Sequence, residues 1–297
     1  MVFNWPFFWQ SLFHPSGAYL GGLGLTVVVS ILSMVLGVIL GLVIALARLS
    51  KNVVLRSLAA VYVWVMQGVP LLVVLVVIYL GLAAANVYRF RDSSLMGISV
   101  AGSVQAAIVG LTLNNAAYIS EIIRSSIVAV PEGQEEAATT LGMTKLSSMR
   151  WIILPQAVRT MIPPLGNQFN TLMKNTSLLS IIGVTEIFLV TQAVSSATFH
   201  TFEIFIVTGI YYLALTTCWT VLQSELERLA SRRLGIEVTG PFHGLIAGWQ
   251  ALVRRNAAIE ATKAETAATV ADKPVVEPAT QSLTATVPVL AAEATVR

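Results

Sequence analysis

Long apolar runs alternate with short polar connections along this chain. A helix that crosses a bilayer needs about 20 apolar residues. Four runs meet that length: Leu23–Ala47, Leu58–Leu82, Ser103–Ile123 and Phe202–Leu222. A fifth run, Pro164–Val184, is more polar, and we count it as a span because omitting it would place two basic loops on opposite faces. The pattern therefore predicts an all-α, polytopic membrane bundle of about five transmembrane helices.

The composition supports a membrane protein. Apolar residues make up 56% of the chain and charged residues only 11%, whereas a soluble domain has about 25% charged residues. The net charge of +3 fits membrane orientation, so we expect no nucleic-acid partner. The single cysteine, Cys218, and three scattered histidines give neither a disulfide framework nor a metal site. The first 47 residues carry no charged side chain, and we expect no cleaved signal peptide.

Basic residues in the connections predict the orientation, because Lys and Arg are enriched in cytoplasmic loops. Ten fall on one side: Arg48, Lys51, Arg56, Arg124, Lys145, Arg150, Arg159, Arg228, Arg232 and Arg233. Two, Arg89 and Arg91, fall on the other. This asymmetry predicts an N-terminus outside and a C-terminus in the cytoplasm.

The remaining segments divide the chain into four parts. Residues 1–19 form an extracytoplasmic aromatic segment, typical of an interfacial anchor. Residues 20–235 form the transmembrane domain, with a cytoplasmic loop at 126–160. Residues 236–256 have the pattern of an amphipathic segment on the cytoplasmic membrane surface. Residues 257–297 lack aromatic residues and glycine, which predicts a disordered tail.

The loop at 126–160 has the pattern of two short helices joined at a glycine. Pro131 suits the first turn of a helix that runs to about Leu141, and Gly142 suits the left-handed residue that ends it. The next helix presents one apolar face, at Leu146, Met149 and Ile153. We expect Pro155 to end this second helix.

The same loop reads E-A-A-x3-G-x9-I-x-L-P from Glu136 to Pro155, which resembles the signature of type I ABC importer permeases. The resemblance implies a multi-pass protein of the bacterial inner membrane whose loop supplies a coupling helix to a separate dimer of ATPase subunits. The implied contact residues are Glu136, Ala137, Ala138, Leu141 and Gly142. Because the chain has no G-x-x-x-x-G-K-[ST] sequence, ATP and Mg²⁺ belong to that partner. We expect no cofactor and no catalytic residue in this chain.

Two polar stripes cross the predicted spans. Helical spacing places Asn114, Tyr118, Glu121 and Ser125 on one face, and Asn167, Asn170, Lys174 and Ser177 on another. Polar groups in a membrane are costly and usually face the bundle interior, so the stripes predict a pathway suited to a small zwitterion. The alternatives are that Glu121 pairs with Arg124 or Arg159 and that Lys174 caps a neighbouring helix.

Further segments resemble the polar amino acid branch of these permeases. They are Asn115–Arg124, Gly133–Ala138, Leu154–Arg159, Lys174–Leu178 and Gln67–Leu72. Gln67 and Val69 depart from the branch pattern, which has arginine and threonine there, so the cargo stays open. The implied pathway residues are Asn115, Tyr118, Glu121, Asn170, Lys174 and Gln67. The implied partners are a second permease subunit, identical or a sister chain, an extracytoplasmic amino-acid-binding protein and membrane lipid.

Three other functions are compatible with parts of the pattern. The same importer type could carry methionine or an opine. An ion-coupled secondary amino acid transporter would use Glu121 as a proton site and would fail with an uncoupler. A membrane scaffold without transport would have no use for two intramembrane polar stripes.

Overall fold

A computed structural model describes residues 3–95 and 97–232. The helices are α1 Trp5–Phe13, α2 Gly17–Leu49, α3 Val53–Gly68, α4 Leu71–Val76, α5 Leu82–Ala84, α6 Gly102–Val128, α7 Glu132–Thr140, α8 Lys145–Ser148, α9 Leu154–Asn175, α10 Ile187–Thr198 and α11 Thr201–Arg232. Two π-helical segments, Val77–Gly81 and Met149–Ile153, and a 3-10 helix, Thr176–Ile182, join some of these helices. The predicted segment 236–256 and tail 257–297 lie outside the described residues.

The described helices give the span count that the sequence predicts. By length and composition, α2, α6 and α11 can each cross a membrane, and two bent helix pairs bring the count to five if each pair is one span. The pairs bend by 106° between Gly68 and Leu71 and by 53° between Ile182 and Ile187. One small element was not predicted, an antiparallel hairpin of β1 Ser93–Leu95 and β2 Ile98–Val100.

The bend between α3 and α4 follows from Pro70. Proline has no N–H, so it cannot donate to the carbonyl of Met66 four residues earlier. The Asn114 side chain supplies the missing donor, with Nδ2 2.8 Å from Met66 O. The second predicted span thus consists of two helices with a break at Pro70, and a side chain of α6 stabilises the break.

The prediction that Pro155 ends the second loop helix is wrong. The π-turn at Met149–Ile153 leads directly into α9, with the Leu154 N–H bonded to Met149 O. Pro155 is the second residue of α9, directly after the π-turn. The loop is consequently continuous with the helix that carries Asn170 and Lys174.

Helices α2 and α6 form the most extensive helix contact in the described region. They run parallel, because Gly37 lies beside Asn115 and Gly41 beside Ile119. A Cβ built on Gly37 would lie 3.0 Å from Asn115 Nδ2, and one on Gly41 would lie 2.8 Å from Ile119 Cγ2. Small residues allow such close approach between helices in membranes. The α2–α6 pair is thus the rigid centre against which the other elements pack.

We expect Gly41→Leu to separate α2 from α6, because its side chain would meet both the branched Ile119 side chain and the Ala116 carbonyl. Overpacking of this kind costs about 1–3 kcal/mol. Gly24→Leu is the matched control, since a Cβ on Gly24 of the same helix meets nothing within 4 Å. Thermal denaturation of purified variants measures the difference, and equal melting of the two would contradict the packing assignment.

Candidate functional site

The loop between α6 and α9 is built by a left-handed glycine turn. Gly142 has a φ of 77°, as the sequence predicts. The Met143 N–H bonds to Ala138 O at 3.0 Å, and the Gly142 N–H bonds to Thr139 O at 2.9 Å. This pair of bonds is the Schellman motif, and it ends α7 sharply. Thr144 then caps α8 by accepting from the Ser147 N–H at 3.3 Å.

Apolar side chains protrude from this turn. Leu141 is 81% exposed and Leu146 is 78% exposed, although they belong to the polar loop rather than to a span. Glu132 and Glu135 lie exposed in the first turn of α7. An apolar tip with an acidic flank is typical of a surface that a partner protein covers.

Four of the five predicted contact residues lie on this surface. Glu136, Ala137, Leu141 and Gly142 are exposed. Ala138 is 3% exposed and faces inward. Its small side chain holds α7 against the rest of the loop, so Ala138 is a packing residue in the described chain.

Asn115 links helices instead of lining an open space. It is 1% exposed, and its Oδ1 accepts a hydrogen bond from Gln168 Nε2 at 2.7 Å. Its Nδ2 faces the sulfur of Met34 at 3.5 Å. A buried amide with these partners ties α6 to α9 and α2.

Glu121 forms a three-residue charge cluster. It pairs with Arg48 at the end of α2 and with Arg124 one turn along α6. The pairing with Arg124 is one of the two alternatives that the sequence left open. The cluster lies near the C-terminal ends of α2 and α6. Glu121 therefore already has two cationic partners within this chain.

The other predicted pathway residues are less engaged. Gln67, Tyr118 and Lys174 are exposed, and within the described ranges their side chains make neither a hydrogen bond nor an ion pair. Asn170 is partly buried, and its Oδ1 is enclosed without a hydrogen-bond partner in the same part of the chain. These four side chains are therefore not joined to one another by hydrogen bonds or ion pairs in the described part of the chain.

Sequence reasoning missed three residues. Gln168 was one of several polar residues in the fifth predicted span, and nothing in the sequence set it apart. Arg48 was used only to predict the orientation of the spans. Glu186 is fully buried at the start of α10. Its carboxylate accepts from the N–H groups of Phe188 and Leu189 and from the Tyr212 hydroxyl. A glutamate directly before an apolar helix was the only available signal.

Metal ligands are not grouped in the part of the chain that the structure describes. No set of three His, Cys, Asp or Glu side chains there could hold an ion. The polar residues of the site are amides, hydroxyls, the exposed Lys174 and the Glu121 charge cluster. Such groups can bind a polar solute, and any transport of it would depend on a conformational change of the helices.

An all-helical bundle with broken spans, buried polar links and a protruding two-helix loop defines a polytopic membrane protein of the transporter class. Residues 37–232 match the family described as binding-protein-dependent transport system inner membrane component. The match covers well over half of the 297 residues. The chain belongs to this family and is a multi-pass protein of the inner membrane.

Curated relatives and a solved structure agree with the family. The probable amino-acid permease protein YxeN of Bacillus subtilis (strain 168) is 38% identical over 224 residues, which cover 75% of this chain and 96% of that protein. The glutamine transport system permease protein GlnP of Escherichia coli (strain K12) is 31% identical over 77% of this chain and 98% of its own length. A crystal structure of an amino acid ABC transporter with histidines aligns with a TM-score of 0.67 at 32% identity, covering 77% and 99% of the two chains.

Proposed function

We propose that this chain is the membrane-spanning subunit of an ATP-binding cassette importer that takes up polar amino acids by alternating access. The names of the relatives support an amino acid cargo. The observation that carries the proposal is the protruding loop, whose exposed Leu141 and Leu146 flank the glycine turn. A subunit without its own phosphate-binding loop needs such a surface, because an ATPase subunit can change its conformation only by direct contact.

Glu136, Ala137, Leu141 and Gly142 form the proposed contact with the ATPase subunit. Ala138 supports the contact from inside. Because the loop continues through the π-turn into α9, a displacement of the loop moves the helix that carries the polar stripe. ATP and Mg²⁺ are bound by the partner dimer, and its closure provides the force.

The two ends of α6 have different roles in this proposal. The helix has 27 residues, so it is about 40 Å long, and it separates the coupling loop from the hairpin at residues 93–100. If the coupling loop meets ATPase subunits in the cytoplasm, the hairpin lies outside. The distribution of Lys and Arg supports the same orientation. The extracytoplasmic binding protein then delivers substrate at the hairpin end.

A second permease subunit is needed to complete the pathway. Asn167, Thr171 and Lys174 form an exposed stripe on α9. A lysine at the centre of a bilayer costs about 2.5–3.5 kcal/mol on insertion scales, so lipid is a poor cover for this face. We propose that it faces a second copy, or a sister permease, across the substrate pathway. Tyr118, Gln67 and Asn170 then contribute from both subunits.

Cysteine cross-linking tests the second copy. Cys218→Ser removes the single cysteine of the chain, and Thr171→Cys then places one thiol on the α9 stripe. We expect a copper-catalysed disulfide between two permease chains in membranes. Leu213→Cys in the same background is the control, because Leu213 is an exposed apolar residue of α11 and is expected to face lipid. Equal cross-linking of the two variants would contradict the assigned face.

Reconstitution tests the function as a whole. The full chain is placed in vesicles with its co-expressed ATPase and an excess of binding protein, and labelled polar amino acids are supplied opposite the ATP. We expect accumulation that requires ATP and is competed by polar amino acids. If only methionine or an opine competed, the proposed cargo would be wrong and the importer would carry that solute instead. Uptake that persists without ATPase and stops with an uncoupler would overturn the proposal in favour of ion coupling.

A further inference from the structure

A polar cavity lies where α5 leads towards the hairpin. Its volume is about 760 Å³, and Arg89 and Arg91 both line it. Neither guanidinium has an ion-pair partner among the described residues. Asp92 also lines the cavity, and its carboxylate accepts a hydrogen bond from the Gly102 N–H at 2.8 Å. Two cations against one engaged carboxylate make this cavity suited to an anion.

An apolar cavity of about 800 Å³ lies between the first halves of α2 and α6. Leu25, Val28 and Leu32 line it from α2, and Val104 and Ile108 line it from α6. Both helices are long and apolar enough to span a membrane. Hairpin residues, among them Ser94 and Ser99, also line the cavity. The cavity therefore reaches from the hairpin to the apolar surface of two candidate spans.

The two cavities adjoin. Ser93 and Gln105 line both of them, and Gln105 Nε2 is fixed by the Arg91 carbonyl at 2.8 Å. Ile108 lies six residues into α6, about 9 Å from its first residue. The cationic cavity thus lies at the helix ends, and the apolar cavity extends from there into the span.

We propose that the two cavities together bind one anionic phospholipid. The phosphate lies between Arg89 and Arg91, and one acyl chain lies along α2 and α6. Guanidinium groups bind phosphate through paired hydrogen bonds, and this chemistry suits a phospholipid head group on either side of a membrane. An acidic protein surface would use the arginines but would have no use for an apolar cavity beside two candidate spans. The proposal does not depend on the identity of the cargo.

Native mass spectrometry of the full-length chain in its purified complex tests this site, with equal amounts of phosphatidylglycerol and phosphatidylcholine added. We expect wild type to retain phosphatidylglycerol preferentially. Arg89→Gln with Arg91→Gln should lower that retention about 25-fold, because each basic residue near an anionic lipid contributes about fivefold. Val104→Trp should also lower it, by filling the apolar cavity while leaving both arginines. Lys51→Gln with Arg56→Gln, which removes two exposed cations near the start of α3, should change nothing.

The comparison of the two lipids on the wild-type protein tests the proposal even if the double variant folds poorly. Equal retention of the two lipids by wild type would overturn the proposal. If inorganic phosphate or glycerol phosphate displaced phosphatidylglycerol, the site would bind only the anionic group and not an acyl chain, which would overturn the proposal of a lipid. A double variant that keeps its lipid but loses affinity for the binding protein would overturn the proposal and make the arginines a protein contact.

Discussion

Gly142→Trp is expected to abolish ATP-driven uptake while the chain still inserts and folds. A Cβ on Gly142 meets nothing within 4 Å, so the indole would project from the loop surface rather than into the bundle. In the proposed assembly that surface is occupied by the ATPase subunit. The loss of a central interface contact costs about 2 kcal/mol or more, which corresponds to about thirtyfold in affinity. Uptake and ATPase activity, measured separately in vesicles, show the effect.

Two matched controls separate the bulk of the side chain from the backbone conformation. Gly142→Ala adds only strain at a φ of 77°, which costs about 1–2 kcal/mol for a residue with a Cβ. Gly133→Ala adds the same methyl group within α7, where the backbone is helical and nothing lies within 4 Å. We therefore expect a partial defect for the first and none for the second.

Gly24→Trp controls for the insertion of a tryptophan. Gly24 is exposed on α2, far from the loop along the chain, and a Cβ there has open space. It should leave uptake near the wild-type level. If Gly142→Trp transported like Gly24→Trp, the loop would not be the contact with the ATPase.

The hydropathy pattern predicted the spans that are continuous helices better than those that are broken. The apolar runs of α2, α6 and α11 identify their spans directly because each is one uninterrupted helix. The bend at Pro70 is stabilised by a hydrogen bond from Asn114, which is 44 residues away in the sequence. A window of local hydropathy contains no information about such a partner. The same holds for Pro155, where a π-turn carried the helix past a residue that usually ends one.

In the site, too, features set by neighbouring residues were predicted and features set by distant helices were not. The glycine turn at Gly142 is local, since it follows from the residue types of a few positions, and it was predicted. The partners of Asn115 and Glu121 depend on how α2, α6 and α9 pack, because Gln168 and Arg48 come from other helices. Helical spacing placed Glu121 on a polar stripe, and the family resemblance alone pointed to Asn115. It could not show that their polar groups are already engaged within the subunit.

Glu186→Ala is expected to cause the largest loss of stability among single changes near the pathway. Glu186 is 0% exposed, and its two oxygens accept the N–H groups of Phe188 at 2.9 Å and Leu189 at 2.8 Å. Alanine would leave both donors buried without a partner. The lost cap and the unsatisfied groups together cost about 3 kcal/mol. A lower melting temperature and less folded protein after detergent extraction would show the effect.

Glu225→Ala is the control for removing a carboxylate. Glu225 is exposed and pairs with Arg228 on the surface of α11, and such pairs contribute at most about 1 kcal/mol. Tyr212→Phe removes only the hydroxyl that donates to Glu186 at 3.2 Å, so we expect a cost between those of the two alanine variants. Equal melting of Glu186→Ala and Glu225→Ala would contradict the capping role.

Glu186→Gln separates capping from proton transfer. Glutamine keeps one oxygen to accept a backbone N–H and almost the same volume, so most of the stability and the ATP-driven uptake should remain. A buried carboxylate that carried protons for ion-coupled transport would instead lose uptake completely in this variant, with melting little changed. Because both Glu186 oxygens are engaged by the start of α10 and by the Tyr212 hydroxyl of α11, we expect the first result. The carboxylate then joins α10 to α11, and the backbone of Glu186 packs closely against Gly22 of α2. In the proposed mechanism, this end of the bundle is the fixed part relative to which α9 moves.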